Sequence, residues 1–253
     1  MPEIIAFVSP KGGAGSTFVC SSMWKTLTKK EYKVLALDMC FENCTLDLAL
    51  GFQNDYVYTL FDVLCNSCTL DDAVCGEPSG FVRLDYESCS YDFPKLFEVI
   101  AHSSYDYVLI DIDSQCKNIL SGVFDFCSKV VIVTDCTQAS VKLCENFIGE
   151  FEFLKEPLVI VNKIMPYLIR DGIHLTIDEV LERLSCELLG LIPWSIHSEF
   201  ILGTDSDISD YVALFNPLFS IAERIEGGYV PACDIESLFK DERAFNYLMR
   251  GRK

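Results

Sequence analysis

The stretch Val8–Phe18 reads VSPKGGAGSTF and follows directly on the apolar run EIIAFVS at Glu3–Ser9. An apolar run, a glycine-rich turn and a segment of helical periodicity, in this order, predict a strand–loop–helix unit. Gly12, Gly13 and Gly15 let the backbone approach a phosphate closely, and the start of the following helix favours an anion. The pattern is typical of a phosphate-binding loop, although tight turns in other proteins also contain several glycines.

Apolar runs of strand length recur along the chain and alternate with segments of helical periodicity. The runs are continuously apolar, which is typical of parallel strands that are buried on both faces. The predicted strands are Glu3–Ser9, Lys33–Asp38, Tyr105–Asp113, Lys129–Asp135, Pro157–Lys163 and Cys186–Pro193. The predicted helices are Ser16–Lys30, Lys95–Ser103, Gln138–Phe153, Thr176–Leu184 and Ser209–Ile225. This alternation predicts a doubly wound, mostly parallel α/β sheet, with ligands at the carboxyl ends of its strands.

Composition limits the domain count, the location and the partners. With 253 residues, half of them hydrophobic, the chain suits one large domain, predicted over 1–232, followed by a short tail, 233–253. The segment EGGYVPACD at Glu226–Asp234 marks the break between them. No signal peptide and no apolar run of about 20 residues is visible, so a cytoplasmic location is expected. The net charge of −18 argues against DNA as a partner.

The chain contains thirteen cysteines, and four of them have spacings that metal sites use. Cys40 and Cys44 form C-x-x-x-C, while Cys65 and Cys68 form C-x-x-C. Four such thiols could bind zinc or an iron–sulfur cluster. The alternative, reduced thiols acting as small apolar side chains, is favoured because no histidine or glycine-rich knuckle flanks them.

The loop segment Lys11–Thr17, KGGAGST, resembles the deviant Walker A loop Lys-Gly-Gly-x-Gly-Lys-Thr of the MinD/ParA family of P-loop ATPases, most closely its MinD branch. The resemblance extends in order over about Pro2–Ile225. Its further segments are VLALDMCFENCTLDLALG at Val34–Gly51, YDYVLIDIDS at Tyr105–Ser114, VNKIMP at Val161–Pro166 and LLGLIP at Leu188–Pro193. It implies the P-loop NTPase fold, ATP or ADP with Mg²⁺ as cofactor, protein partners and a nucleotide-linked homodimer.

The resemblance also implies roles for individual residues. Lys11 matches the signature lysine, which in the family reaches the nucleotide of a dimer partner. The Mg²⁺ site falls on Thr17, Asp38 and Asp111. Nucleotide binding falls on Gly12, Gly13, Ala14, Gly15, Ser16, Thr17, Phe18, Asn162 and Pro193, with Asn162 at the position of a polar residue that contacts adenine.

Two catalytic positions depart from the family pattern. Ser16 replaces the loop lysine, and Cys40 replaces the aspartate that orients the attacking water. The stretch Ile112–Gln115 also differs from the switch that follows the Walker B aspartate. A charge-assisted hydrogen bond to phosphate contributes about 1.5–3 kcal/mol, so the loss of the lysine weakens binding by about tenfold or more.

These departures predict a pseudo-ATPase with weak or no ATP hydrolysis, which acts as a positioning scaffold of the cell-division type through protein contacts. The alternative is an active switch ATPase that dimerises on binding ATP. In that case Lys11 lies in the nucleotide site of the dimer partner. Two rescues of the altered site also stay open, in which Lys11 turns to its own phosphates and Glu42 or Asp47 stands in for the acid missing at position 40.

The tail has an apolar face and a basic end. The apolar residues are Ile235, Leu238, Phe239, Phe245, Leu248 and Met249, and the basic ones are Arg243, Arg250, Arg252 and Lys253. This resembles the amphipathic helix that attaches MinD to the membrane, although Asp241 and Glu242 dilute its basic character. Two alternatives stay open, a peripheral location at the inner face of the cell membrane and a helix docked on the body or on a partner.

Overall fold

The computed structural model describes residues 1–40, 44–52, 57–84, 92–115, 117–151, 156–195, 198 and 212–235. Its strands are β1 Glu3–Ser9, β2 Val34–Met39, β3 Gly80–Arg83, β4 Tyr107–Asp113, β5 Lys129–Thr134, β6 Leu158–Ile164 and β7 Glu187–Pro193. Its longer helices are α1 Ser16–Lys29, α5 Phe93–Ala101, α6 Lys117–Phe124, α7 Gln138–Glu150, α9 Ile177–Leu184 and α10 Val212–Ile225. Its short helices are α2 Leu46–Leu50, α3 Leu60–Leu64, α4 Leu70–Ala73 and α8 Pro166–Arg170.

The seven strands form one sheet in the order β3-β2-β4-β1-β5-β6-β7, and every pair of neighbours is parallel. The strand before the glycine loop, β1, therefore lies at the centre, between β4 and β5. The register places Asp38 of β2 opposite Asp111 of β4, and Ser9 of β1 opposite Asp113. The carboxyl ends of the central strands thus bring carboxylates next to the loop.

Helices cover both faces of the sheet, so the strands are apolar throughout. Along β1, Ile4, Ala6 and Val8 face one apolar cluster, while Ile5 and Phe7 face the other. Helices α1 and α10 contribute to the second cluster, whereas α5, α6, α7 and α9 contribute to the first. This two-sided burial is the physical cause of the continuous apolar runs in the sequence.

One close contact fixes the position of α10 on the sheet. A Cβ atom added to Gly190 of β7 would lie 2.2 Å from Ile221 Cγ1 of this helix. A glycine at this strand position is therefore required for the helix to approach the sheet so closely.

The prediction of a doubly wound α/β sheet is confirmed, and the sheet is wholly parallel rather than mostly so. The predicted strands lie within two residues of the observed ends, and β3 was missed. This strand has four residues at the sheet edge, too few to show a periodicity. The helix predicted to begin at Ser209 is described from Val212 onward, and it ends at Ile225 as expected.

The proposed tail is described only at its start. Ile235 is 6% exposed and belongs to the apolar core, while residues 236–253 lie outside the described residues. The division at residue 232 thus stays a prediction. Within the described ranges, no helix has both the length and the apolar character needed to cross a membrane.

Candidate functional site

The glycine loop forms an open turn between β1 and α1. Gly13 and Gly15 adopt positive φ angles of 79° and 104°, which glycine tolerates without strain. Gly15 is also the residue before the first helical turn, and no side chain caps that turn. Cβ atoms added to Gly12 and Gly13 would meet nothing within 4 Å, so the outer side of the loop is open. The start of α1 therefore presents uncapped backbone N–H groups toward open space, as anion-binding loops do.

Two residues at the end of β6 brace this loop from the side. The amide Nδ2 of Asn162 donates a hydrogen bond to the carbonyl oxygen of Ala14 at 2.9 Å, and Asn162 is 2% exposed. A Cβ atom on Gly15 would lie only 2.5 Å from the same Nδ2 atom. Lys163 donates from Nζ to the carbonyl oxygen of Gly13 at 2.6 Å. The loop conformation is thus held by β6 as well as by its own glycines.

A cavity of about 510 Å³ opens beside the loop. Six predicted nucleotide-binding residues line it, namely Gly13, Gly15, Thr17, Phe18, Asn162 and Pro193. Lys163 and Trp194 also line it and were not predicted. Asn162 lines the cavity and also holds the loop, and its predicted contact with adenine stays a prediction. The volume suits a ligand of nucleotide size.

Another cavity, of about 580 Å³, lies at the opposite edge of the sheet. Lys33, Gly76, Pro78 and Tyr105 are among its lining residues, and each precedes the amino end of a strand. Doubly wound sheets bind ligands at the carboxyl ends of their strands, so we assign the functional site to the cavity beside the loop.

The predicted metal ligands meet beneath the loop. The hydroxyl of Thr17 donates to Oδ2 of Asp111 at 2.5 Å. Oδ1 of Asp111 is buried and has no hydrogen-bond partner among the described residues. In Asp38, Oδ1 accepts from Cys40 N at 3.0 Å and Oδ2 accepts from Leu46 N at 3.2 Å. Asp38 and Asp111 are each 1% exposed.

Burial of this carboxylate pair shifts both groups toward the neutral form. Desolvation, with the charge of Asp111 nearby, raises the pKa of Asp38 from 3.8 to about 7, although two backbone N–H groups oppose the shift. Desolvation likewise raises the pKa of Asp111 to about 6, against the opposing effect of the Thr17 hydroxyl. A divalent cation would favour the ionised form of both groups. The unpartnered Oδ1 atom and the adjacent hydroxyl are oxygen ligands of the kind that Mg²⁺ takes.

Lys11 is engaged on the other side of the loop. Its Nζ donates to Oδ2 of Asp135 at 2.7 Å and to the hydroxyl of Thr137 at 3.1 Å. Burial alone would raise the pKa of Asp135, but the hydrogen bonds from Lys11 and Thr137 outweigh it and hold that pKa below its ordinary value of 3.8. Lys11 and Asp135 thus form a charged pair in the single chain, and the charge of Lys11 is balanced there.

The two positions that depart from the family pattern both lie at this site. Ser16 opens α1 without a charge. Cys40 directly follows β2, where burial and the carboxylates of Asp111 and Asp38 raise the pKa of its thiol strongly. A neutral thiol there cannot replace a carboxylate in orienting water. Asp47 uses its Oδ1 to accept from Leu48 N at 2.6 Å, and Glu42 lies outside the described residues.

The cysteine metal site finds no support in the described part of the chain. Cys40, Cys44, Cys65 and Cys68 are all described as free thiols. No group of three or more histidine, cysteine, aspartate or glutamate side chains there could hold a metal ion.

Sequence reasoning missed three polar contributors to the site. Asp135 and Thr137 follow β5, and Lys163 lies in β6 beside Asn162. The sequence did contain a feature that points to them, since each of these polar residues stands at the carboxyl end of a predicted strand, where ligands are expected. Their contacts with the loop depend on strand order, which a sequence without known topology does not supply.

No family model matches the sequence. The septum site-determining protein MinD of Synechocystis is 26% identical over 250 residues, which cover 92% of this chain and 93% of that protein. The structure of the MinC:MinD cell division protein complex from Aquifex aeolicus contains a chain that is 25% identical, with a TM-score of 0.82 and coverage of 91% of this chain and 98% of the other. The septum site-determining protein MinD from Pyrococcus horikoshii, complexed with Mg-ADP, is 22% identical, with a TM-score of 0.73 and coverage of 96% and 100%.

Proposed function

Because the chain belongs to the MinD/ParA family of P-loop proteins, we propose that it binds an adenine nucleotide with Mg²⁺ and hydrolyses it slowly or not at all. The observation that carries this proposal is an open glycine loop above buried carboxylates, at a site that lacks the two catalytic groups of the family. The open loop and the buried carboxylates of Asp38 and Asp111 are present, while Ser16 and Cys40 supply neither a cation nor an acid.

The residues beneath the loop fit Mg²⁺. Thr17 and Asp111 would hold the ion, and Asp38 would add negative charge beside it, since its oxygens already accept two backbone N–H groups. When bound, the ion would supply positive charge that offsets the charge of the phosphates. A relative of known structure, the MinD protein of Pyrococcus horikoshii, is complexed with Mg-ADP. That complex supports the same ligand here.

Slow turnover follows from the groups that are absent. Without a loop lysine, less positive charge faces the phosphates as negative charge develops in the transition state. Removing one such electrostatic contact lowers the rate by about 10²–10³-fold. At position 40 the neutral thiol neither accepts a proton from water nor orients it. Both groups act on the same hydrolysis step, one on the phosphate charge and one on the attacking water, so restoring one of them leaves that step slow.

A protein that binds nucleotide without efficient turnover acts through protein contacts. We place this chain in a positioning role of the cell-division type, as a scaffold whose partners are proteins, including a second copy of itself. The relatives named septum site-determining protein and the complex of MinD with MinC support such partners.

The segment 233–253 is proposed as a separate tail. Its apolar face and basic end suit peripheral attachment to the inner face of the cell membrane. The burial of Ile235 in the core leaves the segment after it for that contact. Co-sedimentation with anionic liposomes is expected for the full chain and not for a chain that ends at Ile235. Equal co-sedimentation of both, or none by the full chain, would refute the membrane attachment.

The nucleotide proposal is tested by titrating the full chain with MgADP and MgATP and by measuring phosphate release. We expect binding with little turnover in the natural sequence and in Cys40→Asp, and tighter binding in Ser16→Lys. The double variant Ser16→Lys/Cys40→Asp is expected to gain turnover. Lys142→Ala, on the exposed face of α7, serves as the control and should change nothing. Rapid turnover by the unmodified chain would instead establish the active switch ATPase, and absence of binding would overturn the proposal.

A further inference from the structure

Lys163 stands in an unusual backbone position at the end of β6. Its φ angle is +55°, a left-handed conformation that side chains other than glycine adopt rarely. The pairing of β6 with β7 is irregular in the same place, with a register shift between Val161 and Ile164. Such irregularities re-aim a side chain and are frequent beside functional sites. Here the result is a lysine directed at the glycine loop.

The side chain of Lys163 lies along the loop. A Cβ atom on Gly15 would lie 3.9 Å from Lys163 Cε, and Nζ lies 2.6 Å from the carbonyl oxygen of Gly13. The same residue lines the cavity of about 510 Å³ together with Gly13, Gly15 and Thr17. The ammonium group therefore lies beside the glycine loop, at the edge of that cavity.

Within the described ranges, no acid balances the charge of this ammonium group. Among the described residues, its partner is a carbonyl oxygen, and no carboxylate lies within ion-pair distance of Nζ. Lys11, the lysine that precedes the glycines, is paired with Asp135. In a chain of net charge −18, an unbalanced cation beside an anion-binding loop attracts a negatively charged ligand.

We propose that Lys163 supplies from β6 the phosphate-binding cation that the loop lacks at Ser16. The ammonium group turns from the Gly13 carbonyl to a phosphate oxygen when a nucleotide enters, and its short distance from the loop keeps this movement small. The ligand class is a nucleoside di- or triphosphate, and the inference rests on the nucleotide binding proposed above.

Neutral variants of Lys163 test the proposal through equilibrium binding of MgADP to the full chain. Lys163→Gln retains a donor for the Gly13 carbonyl and removes the charge, while Lys163→Met removes both. Loss of a charge-assisted contact predicts that each variant binds about tenfold or more weakly, and Lys163→Arg is expected to stay close to the natural protein. Lys142→Met is the matched control, because it removes an exposed charge on α7.

Substitutions at Ser16 distinguish two effects of Lys163, the attraction of its charge for phosphate and the support that its contact with Gly13 gives the loop. In a Ser16→Lys background the loop carries its own cation, so Lys163→Gln is expected to cost less than in the natural sequence. Thermal unfolding without nucleotide reports whether each variant is folded. If Lys163→Gln binds MgADP as tightly as the natural chain, the inference is wrong while nucleotide binding stands. If the natural chain binds no nucleotide, both fail.

Discussion

The buried carboxylates beneath the loop make the stability of the nucleotide-free chain sensitive to pH. Asp38 has its pKa raised from 3.8 to about 7, chiefly by desolvation and by the neighbouring Asp111. A carboxyl group whose pKa is raised by folding stabilises the folded state fully below its ordinary pKa. That stability is lost as the pH rises through the folded value. The exchange Asp38→Asn removes the titration and is therefore expected to flatten this pH dependence.

The magnitude follows from the pKa change. The pKa of Asp38 shifts from 3.8 to about 7. Each pKa unit corresponds to about 1.4 kcal/mol, so the pH-dependent part of the free energy of unfolding is about 4 kcal/mol in total. Roughly half of it, about 2 kcal/mol, is lost between about pH 5.5 and about pH 8. Asparagine offers one acceptor where Asp38 accepts from Cys40 N and Leu46 N. The backbone N–H group that loses its acceptor lowers the free energy of unfolding by about 1–3 kcal/mol. This loss is the same at both pH values, so it cancels when the two are compared.

Urea unfolding of the full chain, without nucleotide or Mg²⁺, gives the required free energies of unfolding. Both pH values lie above the sequence pI of about 4.4. Relative to the natural chain, Asp38→Asn is expected to gain about 2 kcal/mol on going from about pH 5.5 to about pH 8. Asp135→Asn is the control, because the pKa of Asp135 is below its ordinary value and the group is ionised throughout this range. An equal effect of Asp38→Asn at both pH values would refute the burial of the carboxylate pair.

Two further exchanges test the loop and its partners. Asp135→Asn breaks the pair with Lys11 and leaves the charge of that lysine unbalanced beside the glycine loop, so we expect MgADP to bind severalfold more tightly in equilibrium titrations, with a stability loss of about 1 kcal/mol; unchanged binding would contradict this role of Asp135. Gly15→Ala places a Cβ atom 2.5 Å from Asn162 Nδ2 at a φ of 104°, and we expect a lower unfolding temperature and lost nucleotide binding. In this second case, Gly149→Ala on α7 meets nothing within 4 Å and is the control.

The sheet could be predicted from the sequence because strands buried on both faces are apolar at nearly every position and so form long apolar runs. The sequence predicted the loop, Asp38 and Asp111 because each stands at a strand end within a recognisable motif. It did not predict that Asp135 pairs with Lys11 or that Lys163 reaches Gly13. These contacts join residues 124 and 150 positions apart, and they exist because β1 lies beside β5 and β6 follows β5. Contacts of this kind depend on strand order, which local sequence patterns do not reveal.

Strand order also bears on the proposed combination of nucleotide binding with slow turnover. The loop after β1 lies between an acidic side, formed by Asp38 of β2 and Asp111 of β4, and a side formed by β5 and β6 that carries Asn162 and Lys163. A cation missing at position 16 can be supplied from β6, whose end already contacts the loop. Asp38 is poorly placed to replace the acid missing at position 40, since both of its oxygens accept backbone N–H groups, and Asp111 is the proposed ligand of Mg²⁺. A lysine at position 16 alone is therefore expected to tighten nucleotide binding and to leave phosphate release slow.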